Sequence, residues 1–508
     1  MESAPDSAPD YGGYEYAADA KSASVEEVAA APADYDYGMD MAEAEAPSAE
    51  PSAAAPSPAA TGTISADGEG GGAMGAVAFA DDAPAPSAAP SPGGGSRSSS
   101  AKKDSSSGSS GRAKGGKVAR DEAPVEAERA RESKTKLAKP VDRNIQSGTL
   151  TAGSFDDNLN PWVFDKFVDQ ARSHPDLARI GAAFAGQHTV LRVQDKNGRP
   201  IGNAKVNIDG KQMMTRSDGR VVWVEGWDSG RQGQGKATIE VGNSRKTVAI
   251  KDQIEQMVVM DDAAGTLPTR LDIALVIDAT GSMGDELEYL KVEIRDIAEA
   301  IAHHFPNVDQ RYALVVYRDD GDQYVTRTFD FTGDLDAFQA DLADQSANGG
   351  GDYPEAMDKA MEATAKLSWR GGETARVTFL VADAPPHAND FDDTLDAVDD
   401  LRAKGVAVYP VASSGVAGEA EFMMRAAAML TGAQYLFLTD DSGVGNPHAE
   451  PHIPCYTVEQ LAPLMVRAVR SELSGKRVEA EQQFSIRTVG QGQGGVCEAP
   501  RKSAKLAR

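Results

Sequence analysis

The chain has 508 residues, with 51 Lys and Arg against 78 Asp and Glu and a formal net charge of −27. So acidic a chain repels polyphosphates, which excludes nucleic acid as a main partner. No window holds the roughly 18 consecutive apolar residues that a membrane-spanning helix needs.

Two cysteines, Cys455 and Cys497, are too few for a disulfide framework or a four-thiolate metal centre; they form one bridge across the C-terminal region or stay reduced. The Met1 start carries neither a positive n-region nor an apolar h-region. The expectation is therefore a cytoplasmic protein, or a true N-terminus lying upstream and an extracytoplasmic or cell-surface location.

Residues 1–148 are rich in Ala, Pro, Ser, Gly and Asp and show almost no periodic apolar face, so they predict a disordered extension with no core to offset chain entropy. Its charge is segregated. Residues 1–96 hold 17 acidic and 1 basic residue, whereas residues 97–148 hold 13 basic and 7 acidic.

Residues 149–186 predict a helical lead-in. Pro161 suits the first turn of a helix capped by Asn160, and Trp162, Phe164, Phe167 and Val168 form an apolar face that needs a neighbouring domain to bury it.

Residues 187–262 carry short strands about ten residues apart with Gly and Asp turns, such as Asp195-Lys-Asn-Gly and Ser217-Asp-Gly, which predicts a small antiparallel β-sandwich. The run Val-x-Asp-x-Asn-Gly-x-Pro-Ile, then Ala-x-Val, then Ser-Asp-Gly resembles the carboxypeptidase regulatory-like module. The resemblance implies a spacer or stabilising collar.

Over 268–474 the pattern changes to five apolar strand-length runs: Leu271–Ile277, Tyr312–Val316, Val377–Val381, Val406–Val411 and Gln434–Leu438. Between them lie amphipathic helices, the first with Leu287, Leu290, Ile294, Ile297 and Ile301 on one stripe. Near-continuous apolar strands alternating with helices predict an α/β fold, a doubly wound and mostly parallel sheet covered on both faces. Ligands of such sheets bind at the carboxyl ends of the strands.

Those ends carry oxygen donors. The first strand runs into Asp278-Ala-Thr280-Gly-Ser282, whose alternation lets one loop aim three oxygens at one point. Gly349-Gly-Gly-Asp352-Tyr-Pro-Glu355 brings two carboxylates on a loop before another helix, and Val381-Ala-Asp383-Ala-Pro-Pro-His387 places Asp383 at a third strand tip. Hydroxyls and carboxylates without sulfur suit Mg²⁺, Mn²⁺ or Ca²⁺, with a coordination position left open.

These three elements together resemble a von Willebrand factor type A (VWA) domain. The hemicentin-like type shared with bacterial surface proteins is the most similar, through Tyr317-Arg-Asp and the long Gly-Gly-Gly-Asp loop. The resemblance implies a metal-ion-dependent adhesion site with Asp278, Thr280, Ser282 and Asp383 as ligands. Asp352 or Glu355 would be the loop ligand, Asp352 aligning best. It further implies a protein partner that supplies an Asp or Glu carboxylate, in adhesion or scaffolding. In the family the last helix, here Val458–Ser471, can couple to metal-site geometry. The alternative is an intracellular adaptor working beside an AAA+ ATPase in metal insertion or complex assembly.

A catalytic reading fares worse. Thr280-Gly-Ser282-Met-Gly only partly matches a nucleophile elbow, and the sequence supplies no acid behind His387 as base, so no enzymatic activity is expected. His448-x₃-His452 followed by Cys455 has zinc-type donors, but Pro451 and Pro454 rule out a helical spacing and favour a polar loop. Residues 475–508 read as a C-terminal extension, with a strand-like Phe484–Val489.

Overall fold

The computed structural model describes residues 148–229, 235–351, 353–416, 418–443, 448 and 451–499. The predicted disordered extension up to residue 147, Asp352 and the basic end of the tail lie outside the described residues.

Apolar runs with no polar face must be buried on both sides, and here they are. Strands β9 (Arg270–Asp278), β10 (Asp309–Tyr317), β12 (Thr374–Ala382), β13 (Ala407–Ala412) and β14 (Tyr435–Leu438) pair in parallel. Alternate residues of β9 feed two cores. Leu271, Ile273, Leu275 and Ile277 pack with α3 (Gly284–His304), α4 (Leu335–Ala343) and α8 (Leu461–Ser474). Ala274 and Val276 face α5 (Met357–Ala365), α6 (Phe391–Arg402) and α7 (Gly418–Leu430). Each large apolar side chain fully buried in this way contributes roughly 1.5–3 kcal/mol.

Four antiparallel strands complete a nine-stranded sheet of order β11-β10-β9-β12-β13-β14-β1-β15-β16. β11 (Thr326–Thr332) closes one edge and β16 (Arg487–Val489) the other. β1 (Thr151–Phe155) lies between β14 and β15 (Tyr456–Gln460), with Ala152 opposite both Leu438 and Glu459. The lead-in thus supplies a strand of the large sheet as well as helices. The last helix starts at Leu461 rather than Val458, because Tyr456–Gln460 is drawn into pairing with β1.

Helix α1 (Pro161–Ala171) buries Phe164 and Phe167 against Phe422 of α7, with ring centroids 6.3 and 6.0 Å apart, and α2 (Ala178–Ala183) follows. Asn160 stands at the expected cap position, but its side chain makes no capping bond. Its Nδ2 donates to Asp156 O and Gly495 O, and its Oδ1 accepts from Cys497 N at 2.8 Å. The residue fastens the C-terminal tail instead. That tail is also held by a disulfide between Cys455 and Cys497, Cα atoms 5.6 Å apart.

The collar is a sandwich of two sheets. One has β2 (His188–Asp195) between β5 (Arg220–Val224) and β8 (Glu255–Met260); the other joins β3 (Lys205–Ile208), β4 (Lys211–Met214), β6 (Lys236–Val241) and β7 (Ser244–Ala249) in the order β4-β3-β6-β7. Leu191, Val193, Val206, Ile208, Trp223 and Ile239 fill it. The pairing is antiparallel except between β2 and β8, which run parallel.

Buried charges join the collar to the large sheet. Arg402 of α6 donates to Asp228 and to Val222 O, and Lys211 Nζ stands 2.9 Å from Asp228. On the other side of the joint, Glu472 of α8 accepts from Arg216, from Ser217 Oγ at 2.7 Å and from Tyr409 Oη at 2.7 Å.

His188, at the start of β2, pairs with Asn158 Oδ1 at 2.9 Å. Burial pulls its imidazole down from 6.5 to about 4, against the weaker upward pull of Asp156 and Asp228. The folded state keeps this histidine neutral while the unfolded chain takes up a proton, so stability falls as the pH drops from 6.5 towards 4. The expected loss is about 2 kcal/mol, allowing for partial exposure. Urea midpoints across that range should fall less steeply for His188→Gln than for the parent. Parallel curves would remove His188 as the source.

Candidate metal centre

In the parallel part of the sheet, β10 lies on one side of β9 and β12 on the other, so the strand order reverses at β9. Such a switch point opens a crevice at the carboxyl ends. Asp278 ends β9, Tyr317 ends β10, and Asp383 directly follows β12.

The first loop folds on itself. Asp278 Oδ1 accepts from Thr280 N at 2.9 Å and from Thr280 Oγ1 at 2.7 Å, and Thr280 Oγ1 lies 3.1 Å from Ser282 Oγ. The motif therefore holds its three oxygens together before α3 begins.

The other loops are laced onto it through the backbone. Asn348 N donates to Ala279 O, and Gly281 N to Gly349 O; Glu355 N donates to Pro385 O, two residues past Asp383. Gly350 has φ +71°, and a Cβ there would stand 2.9 Å from Glu355 Oε1 and 3.1 Å from Thr280 Cβ. Only a residue without a side chain lets these groups approach so closely.

Asp278, Glu355 and Asp383 are all buried. Burial pushes the phenol of Tyr317 well above its ordinary range, and the charges of Asp278, Asp383 and Glu355 add to the shift. Three carboxylates from three separate segments thus act on the Tyr317 phenol. Of the sequence-predicted donors, the structure brings together Asp278, Thr280, Ser282 and Glu355, with Asp383 beside them; Asp352 lies outside the described residues.

Several residues at this end of the sheet were not singled out as donors or supports from the sequence. Arg318, buried after β10, donates through Nε to Ala279 O at 3.2 Å and through Nη2 to Ser346 O at 2.7 Å, while its own carbonyl accepts from Ala356 N. One guanidinium thereby ties the Asp278 loop to the loop carrying Glu355. Behind them, fully buried Glu286 of α3 accepts from Ser414 N at 3.1 Å and faces His448 Nε2 at 3.3 Å. Burial alone would lower the His448 pKa, but the neighbouring carboxylates of Glu286 and then Asp440 outweigh it and leave the pKa raised.

Contrary to the sequence expectation, His387 has an acid behind it, Asp319 Oδ1 at 2.8 Å. His448 goes to Glu286 and Asp440, His452 to Glu421, and Cys455 into the disulfide, so the three zinc-type donors take separate partners.

Residues 272–438 match the family model described as the von Willebrand factor A domain. A stretch of 186 residues is 27% identical to an ariadne-like RING finger protein of Acanthamoeba polyphaga mimivirus, covering 33% of this chain and 18% of that protein. A stretch of 128 residues is 29% identical to the alpha-protein kinase vwkA of Dictyostelium discoideum, covering 25% of this chain and 20% of that protein. The chain spans about a fifth of the length of these two relatives. Among solved structures, BatB of Bacteroides thetaiotaomicron is 12% identical with a TM-score of 0.28, over 40% of this chain and 98% of that one. Proximal thread matrix protein 1 of the mussel byssus is 15% identical with a TM-score of 0.23, over 33% and 47%. Residues 272–438 form a von Willebrand factor A domain within the nine-stranded sheet.

Proposed function

We propose that this chain is a divalent-cation-dependent binding protein, not a catalyst, that captures a carboxylate of a protein partner at the tip of β9. The observation that carries the reading is the convergence of Asp278, Thr280, Ser282, Glu355 and Asp383 where the strand order reverses. An all-oxygen donor set beside a glycine cradle fits Mg²⁺, or Mn²⁺ or Ca²⁺. When bound, such an ion supplies an open position for a carboxylate oxygen.

The chain's own residues do the rest. Thr280 presents a hydroxyl oxygen held by Asp278, Ser282 one that pairs with Thr280, and Arg318 keeps the loops in register. Asp319 and His387 flank the crevice on the loops after β10 and β12. The collar, with its resemblance to a carboxypeptidase regulatory-like module, acts as a rigid spacer. The Cys455–Cys497 bridge favours an oxidising, extracytoplasmic setting of the hemicentin-like or bacterial surface kind over an intracellular adaptor.

Mg²⁺ or Mn²⁺ at 100 times its Kd should stabilise the folded chain by about 2.7 kcal/mol. Asp278→Ala should abolish that shift, and an EDTA-sensitive capture of the partner should disappear with it. An unchanged melting curve on adding metal to the well-folded parent would sink the reading. Arg318→Ala should weaken the metal by about 10–100-fold, as removal of outer support does, with Arg318→Lys recovering part of the loss. Equal affinities in calorimetric titration would show that Arg318 has no such role.

A further inference from the structure

A second group of metal-type donors lies outside the strand tips. His174 and Asp176 sit in the connection between α1 and α2, and Glu419 in the first turn of α7. One ligand atom from each lies within 4.8 Å of the other two. His174 Nε2 is 3.0 Å from Glu419 Oε1, and His174 Nδ1 is shielded from solvent with no hydrogen-bond partner among the described residues.

We propose that His174, Asp176 and Glu419 form a separate site for a borderline transition ion of the Zn²⁺ class. The donor set separates it from the first centre: an imidazole nitrogen with two carboxylates suits Zn²⁺, whereas Mg²⁺ takes oxygen ligands and holds its water. Bonds of about 2.0–2.2 Å put neighbouring ligand atoms around 3–3.5 Å apart. The spacing of His174 Nε2 and Glu419 Oε1 already falls there, and side-chain rotation brings in Asp176. His174 and Glu419 are 32% and 26% exposed, which gives an ion entry and leaves a position for water.

The location gives the site a use. An ion there staples the α1–α2 connection to the head of α7. The turn just before α7 is already held by Tyr353 Oη, which donates to Gly415 O at 3.1 Å and belongs to the loop that carries Glu355. Occupancy would stiffen one wall of the strand-tip crevice from outside it.

The test is calorimetric titration of ZnCl₂ into the full chain bearing Asp278→Ala, which silences the first centre. One equivalent of Zn²⁺ should bind, His174→Ala in that background should remove it, and Glu419→Gln should weaken it at least about tenfold. MgCl₂ should give no saturable heat. The proposal is overturned if no zinc binds, or if both variants bind zinc as their parent does, including the case in which they only lower the metal-free melting temperature as the loss of an ion pair would. The His174→Ala difference reads the same in the chain without Asp278→Ala, so failure here is distinguishable from failure at the strand tips.

Discussion

Arg216→Ala is expected to destabilise the chain by about 3–5 kcal/mol, the cost of leaving a buried charge without its partner. The Arg216 side chain is 5% exposed and Glu472 only 1%. The guanidinium also donates to Gly432 O and to Thr431 O at 3.3 Å, and Asp218 stands 3.4 Å away. Removing it takes the guanidinium from Glu472 and from the carbonyls of Thr431 and Gly432, while Asp218 keeps Arg220 Nε at 2.7 Å. Ser217 and Tyr409 still donate to Glu472, which places the loss toward the lower end of that range. The double replacement Arg216→Met with Glu472→Leu should recover much of the loss, because an apolar pair of similar volume needs no desolvation of charge. Urea unfolding followed by tryptophan fluorescence measures both. A single-variant loss under about 1 kcal/mol would mean that the joint tolerates the charge through water, and that the collar is held chiefly by apolar contact.

Removing the Cys455–Cys497 bridge is expected to cost about 4 kcal/mol, from the chain entropy released by opening a loop with a sequence separation of 42. The effect should be local as well as global. The bridge holds the tail strands where Asn160 accepts from Cys497 N and donates to Gly495 O. Dithiothreitol, or Cys455→Ser with Cys497→Ser, should lower the melting temperature and open residues 475–499 to limited proteolysis. The Arg477–Asp156 ion pair, at 2.6 Å, should keep the early part of the tail attached. Unchanged proteolysis after verified reduction would show that noncovalent contacts suffice.

The five parallel strands were legible because burial on both faces leaves a local trace, an unbroken apolar run, and α3 because its stripe repeats every three to four residues. β1 and β15 leave no such trace. Thr151-Ala-Gly-Ser-Phe has little of its own to make it a strand, and its register against Leu438 and Glu459 is set by partners about 300 residues away. The motif Asp278-x-Thr280-x-Ser282 was legible for the opposite reason, since its hydrogen bonds span only a few residues. The contacts that Arg318 and Glu286 make around the site were not read. Their roles exist only once loops distant in sequence close around them, and a lone Arg or Glu in a sequence predicts a solvated surface. Asn160 was placed correctly at a helix start, and its partner in the far tail was invisible.

The position of β1 bears on how the chain reaches this fold. During synthesis the strand at 151–155 emerges first, then the whole collar, then β9 to β14, and only then β15, which flanks it on the other side. A nascent chain therefore carries β1 as an unpaired ribbon until some 300 further residues are made, a late and long-range closure of the kind that folds slowly. The collar, whose strand pairings all lie within 188–260, needs none of these later strands for its own pairing. A fragment cut to residues 268–474 would retain β15 but lose the strand between it and β14. The nine strands of the sheet span residues 151 to 489.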